Sequence, residues 1–275
     1  MGSVDRFFAA DAALPTMPEI ARRLLESFED ERADLREIVE LAESDQSLSA
    51  KILKLANSAH YGVGRNVSSL RQAAVLLGLE TLRNLLLSAT VVGAFPSTAG
   101  LDRIRFWRHC VATGGYSRWL GRKVGFDSDS AYLAGFLLRS GQILMAAQIP
   151  DMVKTIELEC VRPALRMKIE IARVGSCHAQ VTAELARRWQ LPDPLIDAFR
   201  HAPDPLQARP FSLLAAVLSL ASTAADAGDL GSQQPAFWCE ADASLIEHLR
   251  LDPDWLQVNI PSYESVTYSV DALVS

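Results

Sequence analysis

Cysteine is scarce in this sequence. There are four, Cys110, Cys160, Cys177 and Cys239, and no CxxC pair. That spacing offers neither a disulfide framework nor a zinc cluster, and free core thiols of a reducing compartment are expected. Long apolar runs are missing too. No stretch of about 18 apolar residues free of charge occurs, so no membrane span is expected. The opening residues, MGSVDRFFAADAALPTMPEI, carry acids early and read as neither a secretory signal nor an anchor. A cytoplasmic location is the expectation that follows.

Positive charge is in short supply. Lys plus Arg is 27 against 33 Asp plus Glu, a formal charge of −6. Such a chain lacks the overall field that holds nucleic acid non-specifically, and no nucleic-acid partner is expected. Catalytic signatures are absent as well. There is no Gly-rich phosphate loop, no GxSxG elbow and no HExxH. Strand signals fail in turn. Apolar and polar residues never alternate for long, and no Asn-Gly or Asp-Gly turn occurs.

Helical periodicity is what remains, with 49% hydrophobic residues to build a core. Thr16-Met17-Pro18-Glu19 has the form of a capping box, and Ile20, Leu24, Leu25 and Phe28 follow on one face. Further starts are marked by Asp34 with Glu37, by Asp45, and by Ser69 with Gln72, and Gly78 supplies a stop. Asn57 to Asn66 breaks the pattern with two glycines. Pro96-Ser97-Thr98-Ala99-Gly100 reads as a linker. Helices are then predicted over 104–123, 131–148, 152–159, 164–174, 178–189, 194–200 and 211–226, with short ones over 244–250 and 263–274. The expectation is an all-α, two-lobed helical bundle. Residues 1–96 form the first lobe, 101–226 the second, and 227–275 an extension packing on the second. Gly114-Gly115 falls inside a helix, at about 1 kcal/mol per glycine relative to alanine, and close approach of another helix would explain it.

The five histidines, His60, His109, His178, His201 and His248, are scattered. For His109 a metal-ligand or anion-contact role stands beside that of a satisfied core histidine. His178 opens a helix, His201 closes one, where a cation suits the dipole, and His248 reads as surface. Arg65, Arg71, Arg83, Lys51 and Lys54 give the first lobe basic residues, a solvated face or a contact for an acidic partner. His60-Tyr61-Gly62 places two rings in a loop, where they serve binding or pin the loop to the core.

Several segments together resemble the HDOD family. They are LPTMPEIARRLL, SDQSLSAKILKLANSAHYG and VSSLRQAAVLLGLETLRNLLL, then FWRHC, AYLAGFLLRSGQIL, HAQVTAELARRWQLP and RHAP. The likeness runs over residues 14–226. It implies a helical relative of the HD phosphohydrolases, whose active members hold divalent metal through a histidine, a His-Asp doublet and a later aspartate. On that pattern His109 matches the first histidine, Leu138 and Arg139 stand at the doublet, and Ser222 stands at the aspartate. Leucine donates no lone pair, arginine is a fixed cation, and serine is a poor substitute for a carboxylate. The resemblance therefore implies a degenerate HD motif, with no cofactor, metal or catalytic residue.

The expected function is a non-catalytic signalling protein, an adaptor or ligand sensor. Its partners would be signalling proteins or a small anionic ligand such as a nucleotide. Arg139, with His109, His178 and His201, is the candidate ligand pocket, turned from a cation site to an anion site. Asn57, His60, Tyr61 and Arg65 are the candidate partner-binding loop. No second recognisable domain lies within the 275 residues, so action in trans is expected. The rival is a metal-dependent phosphohydrolase on nucleotides or cyclic nucleotides, with His178 and His201 recruited as ligands. The sequence does not set the oligomeric state.

Overall fold

The computed structural model describes residues 4–8, 16–29, 35–61, 67–95, 98, 101–162, 164–231 and 242–274. All regular structure among them is helical, with no strand, so the protein is all-α. Arg65 and most of the 96–100 linker lie outside the described residues, as do Asp34 and Cys239. No single helix among the described residues is long and apolar enough to cross a membrane. The chain groups into two compact units. One is Pro15–Pro96 with Tyr268–Ser275, and the other is Met1–Leu14 with Ser97–Thr267. The expected 227–275 extension is thus divided at Thr267 between the two units.

The first unit contains α1 (Glu19–Glu29), α2 (Leu35–Glu43), α3 (Gln46–Ala56), α4 (Leu70–Leu77) and α5 (Leu79–Ala94). Its starts follow from local chemistry. The Asp45 carboxylate accepts from Ser47 N and Leu48 N, and Ser69 Oγ accepts from Gln72 N. Each satisfies donors that a helix start leaves open. Gly78 sits at φ +78°, which permits the sharp bend between α4 and α5. Leu24, Ile38, Ile52, Leu55, Leu82 and Phe95 are buried within the unit.

The second unit is built on α6 (Arg103–Val124), α7 (Ser128–Leu137) and α13 (Leu213–Asp229). Around these lie α8 (Gly141–Gln148), α9 (Pro150–Glu159), α10 (Arg166–Val174), α11 (His178–Arg188) and α12 (Asp193–His201). Three short helices, α14 (Ala243–His248), α15 (Pro253–Asn259) and α16 (Tyr263–Thr267), complete it. The last helix, α17 (Val270–Val274), packs on α3 and α5 of the first unit.

Helices α6 and α7 approach closely because both present glycine. A Cβ on Gly114 would lie 3.1 Å from the Tyr132 carbonyl, and one on Gly135 would lie 2.6 Å from the Thr113 carbonyl. The expected close helix approach at Gly114 is therefore observed. Trp107, Tyr116, Phe136 and Phe199 fill the interior.

Two predicted helices are broken, and one helix, α15 (Pro253–Asn259), was not predicted. The predicted 131–148 helix is broken at Leu138-Arg139-Ser140, which form a turn between α7 and α8. The predicted 263–274 helix is broken at 268–269, between α16 and α17. The first break puts Arg139 at a corner, from which its side chain reaches α13.

Candidate functional site

His109, in the middle of α6, is 1% exposed. Its Nδ1 lies 2.8 Å from Asp229 Oδ2 and 3.7 Å from Asp226 Oδ1. Both aspartates come from the last turns of α13, three residues apart and so on one face. Tyr263 Oη donates to the other oxygen of Asp229. These three residues could present donor atoms to one ion, since the atoms lie within 4.8 Å of one another.

Arg139 occupies the same place. Its guanidinium Nη1 lies 3.8 Å from Asp226 Oδ1 and 3.8 Å from Asp229 Oδ2. Nη2 lies 3.6 Å from Glu157 Oε1, and Nε donates to Gln142 Oε1 at 2.5 Å. Arg166 extends the cluster. It holds Glu157 in a two-pronged pair at 2.7 and 3.0 Å, and its Nε lies 3.8 Å from Asp226. Two buried cations are thus shared among three carboxylates.

The electrostatics follow from that sharing. Burial pushes the Asp229 carboxyl up, but His109 and Arg139 outweigh it and hold the group at about 2. Burial acts likewise on Glu157, and Arg166 and Arg139 hold it at about 2. His109 is held below its ordinary value by burial first and by the Arg139 charge second, against the pull of Asp229. The imidazole is neutral at pH 7, so Nδ1–H donates to Asp229. Burial also raises the neighbouring Cys110 thiol far above its usual range, which makes it inert.

A hydrolytic metal does not fit this arrangement. Zinc-type sites need donor lone pairs about 2.0–2.2 Å from the ion. Here the histidine nitrogen nearest the carboxylates carries the proton of a 2.8 Å hydrogen bond. The carboxylates already face a guanidinium that carries a full positive charge and never gives it up.

The other expected pocket residues go elsewhere. His178 Nδ1 pairs with Glu170 Oε2 at 2.7 Å, with both side chains 1% exposed. Glu170 also accepts from the His178 backbone N, which ties α10 to the start of α11. His201 Nδ1 contacts the Asp197 carbonyl of its own helix. Only His109 and Arg139 of the four are brought together. Arg139 is ringed by acids, so the expected anion site meets a neutralised cation. Leu138 is buried core, and Ser222 lies one turn before Asp226 on α13. Asp226, Asp229, Glu157, Arg166 and Tyr263 are site residues that the sequence reading missed.

In the candidate partner loop, Asn57 bridges its own helix and Val67. Its Nδ2 donates to Leu53 O and Val67 O, and its Oδ1 accepts from Val67 N at 2.8 Å. The His60 ring stacks on Tyr268 with centroids 3.7 Å apart, and Tyr61 Oη lies 2.7 Å from Tyr268 Oη. Lys51 Nζ donates to Leu273 O nearby. The loop rings are engaged by the chain's own final residues.

An all-helical fold with a buried histidine and two carboxylates converging from α6 and α13 defines an HD-related helical protein. The chain belongs to the HDOD domain family, whose model matches residues 14–205. Its fold is that of an HDOD domain protein of unknown function from Geobacter sulfurreducens. That likeness has a TM-score of 0.78 at 23% identity over 98% of this chain and 97% of that one. It is also similar to a "Putative phosphohydrolase" from Shewanella amazonensis SB2B, with a TM-score of 0.75 at 25% identity over 98% of both chains. An uncharacterized protein of Treponema pallidum (strain Nichols) is 30% identical over 202 residues. That match takes in 68% of this chain but 39% of the relative, so the chain spans less than half of the relative's length.

Proposed function

We propose that this chain is a non-catalytic signalling module, an adaptor or ligand sensor, in which an arginine has taken the place of a catalytic cation. One observation carries the reading: Arg139 Nη1 lies 3.8 Å from each of the two aspartates beside His109. A guanidinium satisfies the carboxylates as a metal would, but it activates no water and accepts no lone pair. The cluster then serves as a fixed link between the α7–α8 corner and the ends of α9 and α13. Protein contacts or small-molecule binding are left to carry the function.

A second reading is favoured by one feature. The donor atoms of His109, Asp226 and Asp229 converge within 4.8 Å, as they would in a metal-dependent phosphohydrolase. Displacement of Arg139 would have to open that site. Purified protein supplied with Mn²⁺, Fe²⁺ or Zn²⁺ and assayed on bis(p-nitrophenyl) phosphate and on cyclic dinucleotides separates the two. No turnover is expected. Turnover that disappears in His109→Ala would establish the enzyme.

A further inference from the structure

A cleft of about 450 Å³ lies beside the charge cluster, between α10, α13 and the segment after α12. Sites for small ligands usually measure about 300–1,000 Å³. Its lining is sorted by charge. Helix α10 contributes Arg166 and Lys168, while Asp204 and Asp242 come from the segments that follow α12 and precede α14. Asp226 joins the acids from α13.

Not all of these groups are free. Arg166 is paired with Glu157, so its charge is largely spent. Asp242 caps α14, accepting from Ser244 N and Leu245 N. Lys168 is exposed and has no ion pair among the described residues. Asp204 stands at a cap position yet makes no capping hydrogen bond. Ser222 on α13 also lines the cleft, although it is only 4% exposed. Its hydroxyl makes no hydrogen bond among the described residues. A group with no internal partner, facing a cleft, is placed to receive one from outside.

We infer that this cleft binds a small zwitterion, an amino acid carrying one carboxylate and one ammonium. The carboxylate meets Lys168 and the Ser222 hydroxyl, and the ammonium meets Asp204, since Asp226 is already shared between Arg139 and Arg166. An anion alone would face three carboxylates with only one unpaired cation. A diamine would meet Lys168 and Arg166. No aromatic side chain among the described residues lines the cleft. The site does not depend on whether the His109 cluster is catalytic.

Titration calorimetry on the full chain tests it. The probes are each standard amino acid singly, with inorganic phosphate and putrescine as single-charge controls. Saturable binding of at least one amino acid is expected, with Kd at or below about 1 mM, and neither control should match it. Asp204→Asn, an exposed change, should weaken binding about tenfold by removing the ammonium's partner. Ser222→Leu, which removes the hydroxyl and intrudes on the cleft, should also weaken binding. Should Ser222→Leu fail to fold, Asp204→Asn carries the test. Absence of binding by every amino acid, phosphate binding as tightly as the best of them, or unchanged affinity in Asp204→Asn would each overturn the assignment.

Discussion

His109 Nδ1 and Asp229 Oδ2 lie 2.8 Å apart, joining the middle of α6 to the end of α13, and both side chains are almost fully buried. Asp229 accepts from Tyr263 on its other oxygen and faces Arg139 as well. One carboxylate thereby links three helices and the turn before α8. Removing it leaves Arg139 short of a counter-charge in a buried place. Asp229→Ala is expected to cost about 3–5 kcal/mol, the range for breaking a buried pair from one side. Urea denaturation measures it. A loss below about 1 kcal/mol would mean that the cluster contributes little to the fold.

Acid should dissolve the same network in a defined window. Asp229 and Glu157 are held at about 2 against ordinary values of 3.8 and 4.5. Groups with lowered folded pKa values stabilise above their unfolded values and lose that contribution as pH falls through the folded ones. The loss therefore falls between about pH 4.5 and 2, at about 2–3 kcal/mol per group and less for both, since they share Arg139. His109, also lowered, acts in the same direction at higher pH. Its neutral form is favoured by folding, so stability begins to fall below about pH 6.5. Urea midpoints across pH 7 to 2 should decline in this manner. In Arg139→Met the decline below pH 4.5 should be shallower.

Much of the fold was legible because its signals are local. The Asp45 and Ser69 caps, the Gly78 bend and the tight spot at Gly114 each follow from one or two residues. The 138–140 turn was not legible. AYLAGFLLRSGQILMAA is buried almost throughout, so no polar face betrays where one helix ends and the next begins. His109 and Arg139 were found through the family pattern, but that pattern pointed to Ser222 and drew attention from Asp226 and Asp229. A signal was present. These are the only acids in LLAAVLSLASTAADAGD, an otherwise apolar or small-residue helix that has to be buried. The partners Glu157 and Arg166 sit in mixed sequence, where nothing marks them off from surface charge.

The α6–α7 contact makes a steric prediction. A Cβ on Gly135 would come within 2.3 Å of Ser117 Oγ and 2.6 Å of the Thr113 carbonyl. Backbone cannot yield easily, so Gly135→Ala should destabilise by about 1–3 kcal/mol as an overpacked site, although alanine favours helix. A thermal melt reads the effect. Unchanged or increased stability would show that the two helices have room to part.

Tyr268 anchors the final residues to the first unit through the His60 stack and the Tyr61 hydroxyl. Its loss removes one aromatic pair and one hydrogen bond. Tyr268→Ala should therefore cost about 1–3 kcal/mol. Hydrogen exchange should rise in α17 and at Asn57–Tyr61 together. Faster exchange in α17 alone would separate the tail from the loop.

Calorimetric titration of Mn²⁺ into chelator-treated protein addresses most directly whether Arg139 stands in for a cation between Asp226 and Asp229. No stoichiometric binding is expected in the native sequence. A one-to-one complex that is lost in His109→Ala, while the native arginine is in place, would contradict it.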